Sequence, residues 1–161
     1  IKDKTAFLEA LLIYWRDQVE AQLEIAETQD TKAAFVALGS LRAALSEATK
    51  AVHAQIVENG HILRALQTYA RLHPDAEDED WQTLVVRSFA PIGELLEVFS
   101  DEITLQDQDL ATRMRGVFFN TIFIRTALMP QDTLFDVARL DAETMIQEVT
   151  DMAFGYLTLA R

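Results

Sequence analysis

The sequence predicts an all-α protein. Apolar residues recur at three- and four-residue intervals through most of the 161 residues. The stretches between them carry helix-ending or helix-starting chemistry: Thr28-Gln29-Asp30, Glu58-Asn59-Gly60, His73-Pro74 and Asp141. Nowhere does the pattern alternate convincingly with the period of a strand. The expectation is six or seven principal helices in one domain over residues 1–161, with no internal repeat.

Asp3 can cap a first helix whose buried stripe holds Phe7, Leu11, Tyr14 or Trp15, Gln18 or Val19, Gln22 or Leu23, and Ala26, and which should run to about Glu27. Asp30 or Thr31 caps the next, which carries Phe35, Leu38, Leu41, Leu45, Ala48 and Val52. Gly39 weakens that helix without having to end it. Asn59-Gly60 reads as a helix stop, because both residues tolerate a left-handed backbone. A short helix with Ile62, Leu63, Leu66 and Tyr69 comes next and is closed by His73-Pro74, since the residue before proline avoids helical geometry.

The acidic run Asp75–Asp80 suits a helix N-terminus, with Asp78 or Asp80 as cap. The helix it starts has the stripe Trp81, Leu84, Val85, Phe89, Ile92, Leu95, Leu96, Phe99 and Ile103, with a bend expected at Pro91. After the short link Thr104–Gln106, the stretch Asp107–Met129 begins amphipathic and becomes apolar nearly all round, through Leu110, Met114, Val117, Phe118, Phe119, Ile122, Phe123 and Ile124. A helix apolar on every side must be covered on every side. It is long enough to span a membrane, but Asp107, Asp109, Arg113, Arg115, Asn120 and Arg125 argue against that. A helix shared between a core and a dimer interface fits better. Residues 131–139 are an ambiguous connection. Asp141 caps a last helix with two adjacent apolar faces, Met145, Val149, Met152, Tyr156 and Ile146, Ala153, Leu157.

Composition narrows the function. The 14 basic and 26 acidic residues leave a net charge of −12, which would be repelled by phosphate, so these residues are not expected to grip nucleic acid. The absence of cysteine excludes disulfides, thiolate metal sites and cysteine catalysis. It is compatible with any compartment, the cytoplasm being the expected one. No signal peptide is visible.

No catalytic residue is assigned. Glu58-Asn59-Gly60-His61 fits a Glu-x-x-His spacing, but carboxylate-bridged metal bundles need two such motifs and further glutamates, so no metal is expected. The Asp75–Asp80 run lacks the glycine of a calcium loop. No nucleophile elbow, phosphate-cradling loop or dinucleotide fingerprint is present, and no cofactor is implied. Polar and aromatic groups do stand among apolar helix faces: Trp15, His53, His61, Tyr69, Arg87, Asn120 and Arg125. Buried polar groups need partners, which either the protein or a ligand can supply.

The opening Ile1-Lys2-Asp3-Lys4-Thr5-Ala6-Phe7-Leu8-Glu9-Ala10-Leu11-Leu12 resembles the junction in TetR-family transcriptional regulators, where a recognition helix runs into an apolar residue, a polar-lysine pair and a long helix. Ile1 takes the apolar position, Asp3-Lys4 the cap and lysine, and Phe7 and Leu8 the next apolar pair. Val98-Phe99-Ser100-Asp101-Glu102-Ile103 with Gln106-Asp107-Gln108-Asp109-Leu110-Ala111 is similar to a phrase before the penultimate helix of some members. The specific motif covers about a dozen residues; the likeness of architecture covers the whole chain.

The resemblance implies a TetR-regulator C-terminal-like domain for ligand binding and dimerisation. Residues 1–27 would be the helix connecting it to a DNA-binding helix-turn-helix, which is missing here and would lie before Ile1. The last two long helices would form a four-helix bundle with their twofold mates, making a homodimer through Phe118, Ile122, Met145, Val149, Met152 and Tyr156. A small hydrophobic or aromatic effector would enter among the first helix, the Phe35–Val52 helix, the bent helix and the inner side of Asp107–Met129. Phe35, Tyr69, Phe89, Phe119 and Phe123 would line its site with Trp15, and Arg87, Asn120 or a histidine such as His53 would orient a polar end. Effector binding would tilt the first helix and release operator DNA, held by the missing domain. Two other readings compete. A structural or adaptor bundle predicts a filled core and no ligand-dependent stabilisation. A carboxylate-bridged metal enzyme predicts bound iron or manganese.

Overall fold

The structure, a computed structural model, describes residues 4–73, 83, 87–88, 90–105, 107, 113, 116–117 and 140–159. Five α-helices are present among them: α1 (Lys4–Glu27), α2 (Thr31–Leu38), α3 (Leu41–Leu72), α4 (Ala90–Val98) and α5 (Ala142–Thr158). A 3-10 turn, Ser100–Glu102, comes after α4. No strand occurs among the described residues, so the fold is all-helical. The acidic run, the connection 131–139 and nearly all of the stretch 107–129 lie outside the described residues; Arg113, Gly116 and Val117 within that stretch are helical.

The break after α1 falls where the polar Thr28-Gln29-Asp30 predicts it. Asp30 caps α2 by accepting from the Ala33 amide at 2.9 Å, leaving one fewer unsatisfied donor in the first turn. Two boundaries differ from expectation. Gly39 ends α2 rather than lying within one longer helix: its φ is +78°, and its N–H donates to the Val36 carbonyl. Asn59-Gly60, expected to end a helix, is crossed without interruption, and α3 runs for 32 residues.

Neighbouring residues explain the contrast. Next to Gly39 stands Ser40, whose backbone is extended and whose Oγ accepts from the Ala43 amide at 3.3 Å. The Leu41 amide donates to the Glu102 carboxylate at 3.1 Å, so an acid brought from the 3-10 turn completes the start of α3 and sits favourably at the positive end of its dipole. Gly60 has no comparable cap after it. Asn59 donates instead to the Gln55 carbonyl inside the helix at 3.0 Å, and Ile56 and Leu63 on either side are held in one apolar cluster. A glycine costs a helix roughly 1 kcal/mol, a penalty that tertiary packing of this kind exceeds.

The core lies at the N-terminal end of α3. Leu41, Ala44 and Leu45 pack with Leu95 and Leu96 of α4, Phe99, and Ala153 and Leu157 of α5, all buried, with Phe35 of α2 against them. A smaller cluster further along joins Ile56 to Val149, with Val52, Leu63 and Met145 partly buried around it. Successive contacts, Leu41 and Leu45 with the end of α5 and Ile56 with its middle, make α5 antiparallel to α3. The buried hydroxyls of Thr49 and Thr150 donate to the carbonyls four residues back, of Leu45 and Ile146, at 2.7 Å each, which satisfies them inside apolar surroundings. The amides of Thr104 and Leu105 both donate to the Leu157 carbonyl, closing the C-terminal turn of α5 with backbone from elsewhere.

The helix expected to continue to Ile103 stops at Val98, and the chain turns through Ser100–Glu102. Pro91 lies in α4, and Arg87 and Ser88 upstream of it are helical as well. Asp141 caps α5 as expected, accepting from both the amide and the hydroxyl of Thr144.

Candidate functional site

α1, like α2, is only partly embedded. None of its 24 residues is fully buried. It lies antiparallel to the second half of α3: Glu9 meets Tyr69, and the segment from Trp15 to Ala26 faces the segment from Leu63 back to Val52. Between these two segments is a cavity of about 350 Å³, lined by Trp15, Val19, Gln22, Leu23 and Ala26 from α1, by Val52, Gln55, Ile56, Asn59 and Leu63 from α3, and by Ser88. This is the lower end of the size range of small-molecule sites, and an apolar wall with a few neutral polar groups is their usual composition.

Polar contacts hold α1 on either side of the cavity. Near its N-terminus, the Tyr69 hydroxyl donates to the Glu9 carboxylate at 3.4 Å, and the Tyr69 ring stacks on His73 with centroids 4.5 Å apart. Burial, reinforced by the Glu9 charge, pushes the Tyr69 phenol above its ordinary pKa, so it stays a neutral donor. Near the C-terminus of α1, the Arg87 guanidinium grips Glu27 with two bonds of 3.0 Å, Nε to one carboxylate oxygen and an Nη to the other, and Glu20 stands 3.9 Å away. Arg87 is thereby committed to α1, one residue from the Ser88 that lines the cavity.

Of the expected ligand-binding residues, Trp15 lines the cavity. Tyr69 and Arg87 fasten α1 beside it. Phe35 packs against the main core on α2 instead, and His53 is half-buried on α3 without being among the cavity's described lining. Phe89, Phe119, Asn120 and Phe123 lie outside the described residues. Of the expected interface residues, Val149 is 3 % exposed and packs against Ile56, with Met145 beside it. Val149 therefore faces the interior of its own chain, as do Ala153 and Leu157 of the second apolar face. Met152 is 47 % exposed and Tyr156 half-buried; Phe118 and Ile122 lie outside the described residues. His61 is exposed.

The expected stop at Gly60 conceals the α3 wall from the sequence. A signal is nevertheless present: Val52, Ile56, Asn59 and Leu63 keep helical spacing straight through the glycine. Among the described residues no group of three or more His, Cys, Asp or Glu side chains is placed to hold a metal, and no helix is long and apolar enough to cross a membrane. An apolar-walled cavity thus lies between polar contacts that tie the two ends of α1 to the rest of the described residues. No protein-family model matches the chain, and no curated protein or solved structure matches it either.

Proposed function

We propose that this chain is the effector-sensing and dimerisation domain of a TetR-like transcriptional regulator, a repressor whose hold on operator DNA is released when a small hydrophobic molecule enters the helical domain. The cavity between α1 and α3 is the observation that carries the reading. This ligand-sized space lies against the helix that, by the resemblance of residues 1–12, would connect to a DNA-reading headpiece. That helix has no fully buried residue, so a change in its tilt withdraws none of its side chains from a closed core. A ligand that fits one tilt better than another shifts the balance only by its differential affinity for the two. Two headpieces, one on each subunit of a homodimer, would then lose the spacing that half-sites one DNA turn apart demand. The dimer itself would use the segment around Phe118 and Ile122 together with the outward face of α5 around Met152.

A thermal-shift screen of the chain against a varied small-molecule library, with light scattering on the same samples, tests this. A ligand at a hundred times its Kd adds about 2.7 kcal/mol and raises the unfolding midpoint visibly. The expected result is a dimer stabilised by one chemical class. A monomer that nothing stabilises overturns both halves of the reading.

A further inference from the structure

The described lining of the α1–α3 cavity carries no charged side chain. Seven of its described residues are apolar: Trp15, Val19, Leu23, Ala26, Val52, Ile56 and Leu63. The other four are Gln22, Gln55, Asn59 and Ser88, all neutral, and three of them carboxamides. We infer that the site takes an uncharged, largely apolar molecule with an amide-like hydrogen-bonding edge, and that it discriminates against the carboxylate and ammonium forms of the same skeleton. This rests on the reading of the cavity as the effector site.

Three features support it. An ion moved from water to an apolar wall without a partner of opposite charge carries a large desolvation penalty. Arg87, beside the site, is not available to an anionic ligand, because Glu27 already holds it through two hydrogen bonds. An anion would also approach past Glu20 and Glu27 on a chain of net charge −12. A cation would be drawn toward that surface and toward the face of Trp15, but no described lining residue is a carboxylate that could neutralise it inside.

Carboxamides, by contrast, suit a neutral edge, since each offers a carbonyl acceptor and an N–H donor. Asn59 is oriented for this. One N–H of its Nδ2 donates to the Gln55 carbonyl at 3.0 Å, which orients the side chain and keeps Oδ1 in the role of acceptor. Gln22 and Gln55 are exposed on the cavity rim, where their amides exchange water for ligand at little cost.

The test is a matched set on one skeleton, 2-naphthamide, 2-naphthoate and 2-naphthylmethylammonium, titrated into the 161-residue chain with Trp15 fluorescence as the reporter. The other tryptophan is silenced by Trp81→Phe, and calorimetry on the unsubstituted chain gives the same ranking without any substitution. The expected result is saturable quenching by the amide with an affinity at least tenfold above both ions. Equal or tighter binding of either ion overturns the charge selectivity while leaving the cavity a binding site. Failure of all three to bind saturably overturns the cavity reading, and the selectivity with it.

Discussion

The two ends of α3 are built differently. Around its first turns, Leu41, Ala44 and Leu45 are 0–2 % exposed and meet side chains from α4 and α5. Along its second half, α3 faces α1 across a cavity, and the contacts fastening α1 there are a tyrosine–glutamate hydrogen bond and an arginine–glutamate pair. The first end is close-packed and apolar, so moving it would mean opening a core. The described side chains of the second, apart from Ile56 and Tyr69, are less deeply buried, and polar contacts tie α1 there. A single helix thus joins a close-packed end to one bordered by a cavity.

The largest expected effect tests that division directly. Leu45→Ala should cost about 3 kcal/mol by urea unfolding, through lost burial and the space left behind. Leu23→Ala, on the cavity wall of α1, should cost less than half as much; equal losses would erase the distinction between the two ends. Next come the glycines. Gly39→Ala should destabilise by about 1 kcal/mol, because φ of +78° strains any Cβ-bearing residue even though the space there is open. Gly155→Ala, inside α5 with nothing within 4 Å of the added carbon, should stabilise by about 0.5 kcal/mol. Matching signs would show that backbone conformation is not what separates them.

A smaller effect is expected from Arg87→Met. The Arg87 and Glu27 side chains are 31 % and 56 % exposed, so global stability should change by less than about 1 kcal/mol. Amide hydrogen exchange over residues 20–27 should nevertheless speed up, while that of residues 41–49 stays as it was. Unchanged exchange in α1 would mean that Arg87 does not hold it. The smallest effect concerns pH. Hydrogen bonds from the amide and hydroxyl of Thr144 hold the Asp141 carboxyl below its ordinary pKa. Its contribution to α5 is therefore complete above the ordinary carboxylate value and is lost as the pH falls through the lowered one. Asp141→Asn, which cannot titrate, should flatten this part of the acid limb of a Tm–pH profile; an unaltered limb would remove Asp141 from the account.

Much of the fold is legible in residue order. The end of α1 near Glu27, the Asp30 and Asp141 caps and the close of α3 at His73 are local events. Each depends on a side chain within three residues of the backbone it satisfies, or on the proline next door. Gly39 and Gly60 defy a local reading for the opposite reason: the role of each glycine is set by the residues beyond it and by their distant partners. The helix start beside Gly39 receives help from Glu102, which is 61 residues from Leu41 in sequence, whereas Gly60 is carried through by packing of Ile56 and Leu63. The candidate site is legible in part. Trp15 and the Val19–Ala26 face lie on the predicted stripe of α1, while Val52–Leu63 becomes a wall only because α3 continues.

By itself, then, the sequence determined that this protein is helical, where most of its helices begin and end, and that it carries more apolar surface than one simple stripe per helix requires. These are consequences of spacing and of short-range hydrogen bonding. Tertiary structure alone decided that two predicted helices are one, that Val149 faces inward against Ile56, that Arg87 is bound to α1, and that a cavity whose described lining is neutral and apolar opens between α1 and α3. Each of those depends on groups far apart in the chain meeting in space, and periodicity along one segment carries no record of the partner it will meet.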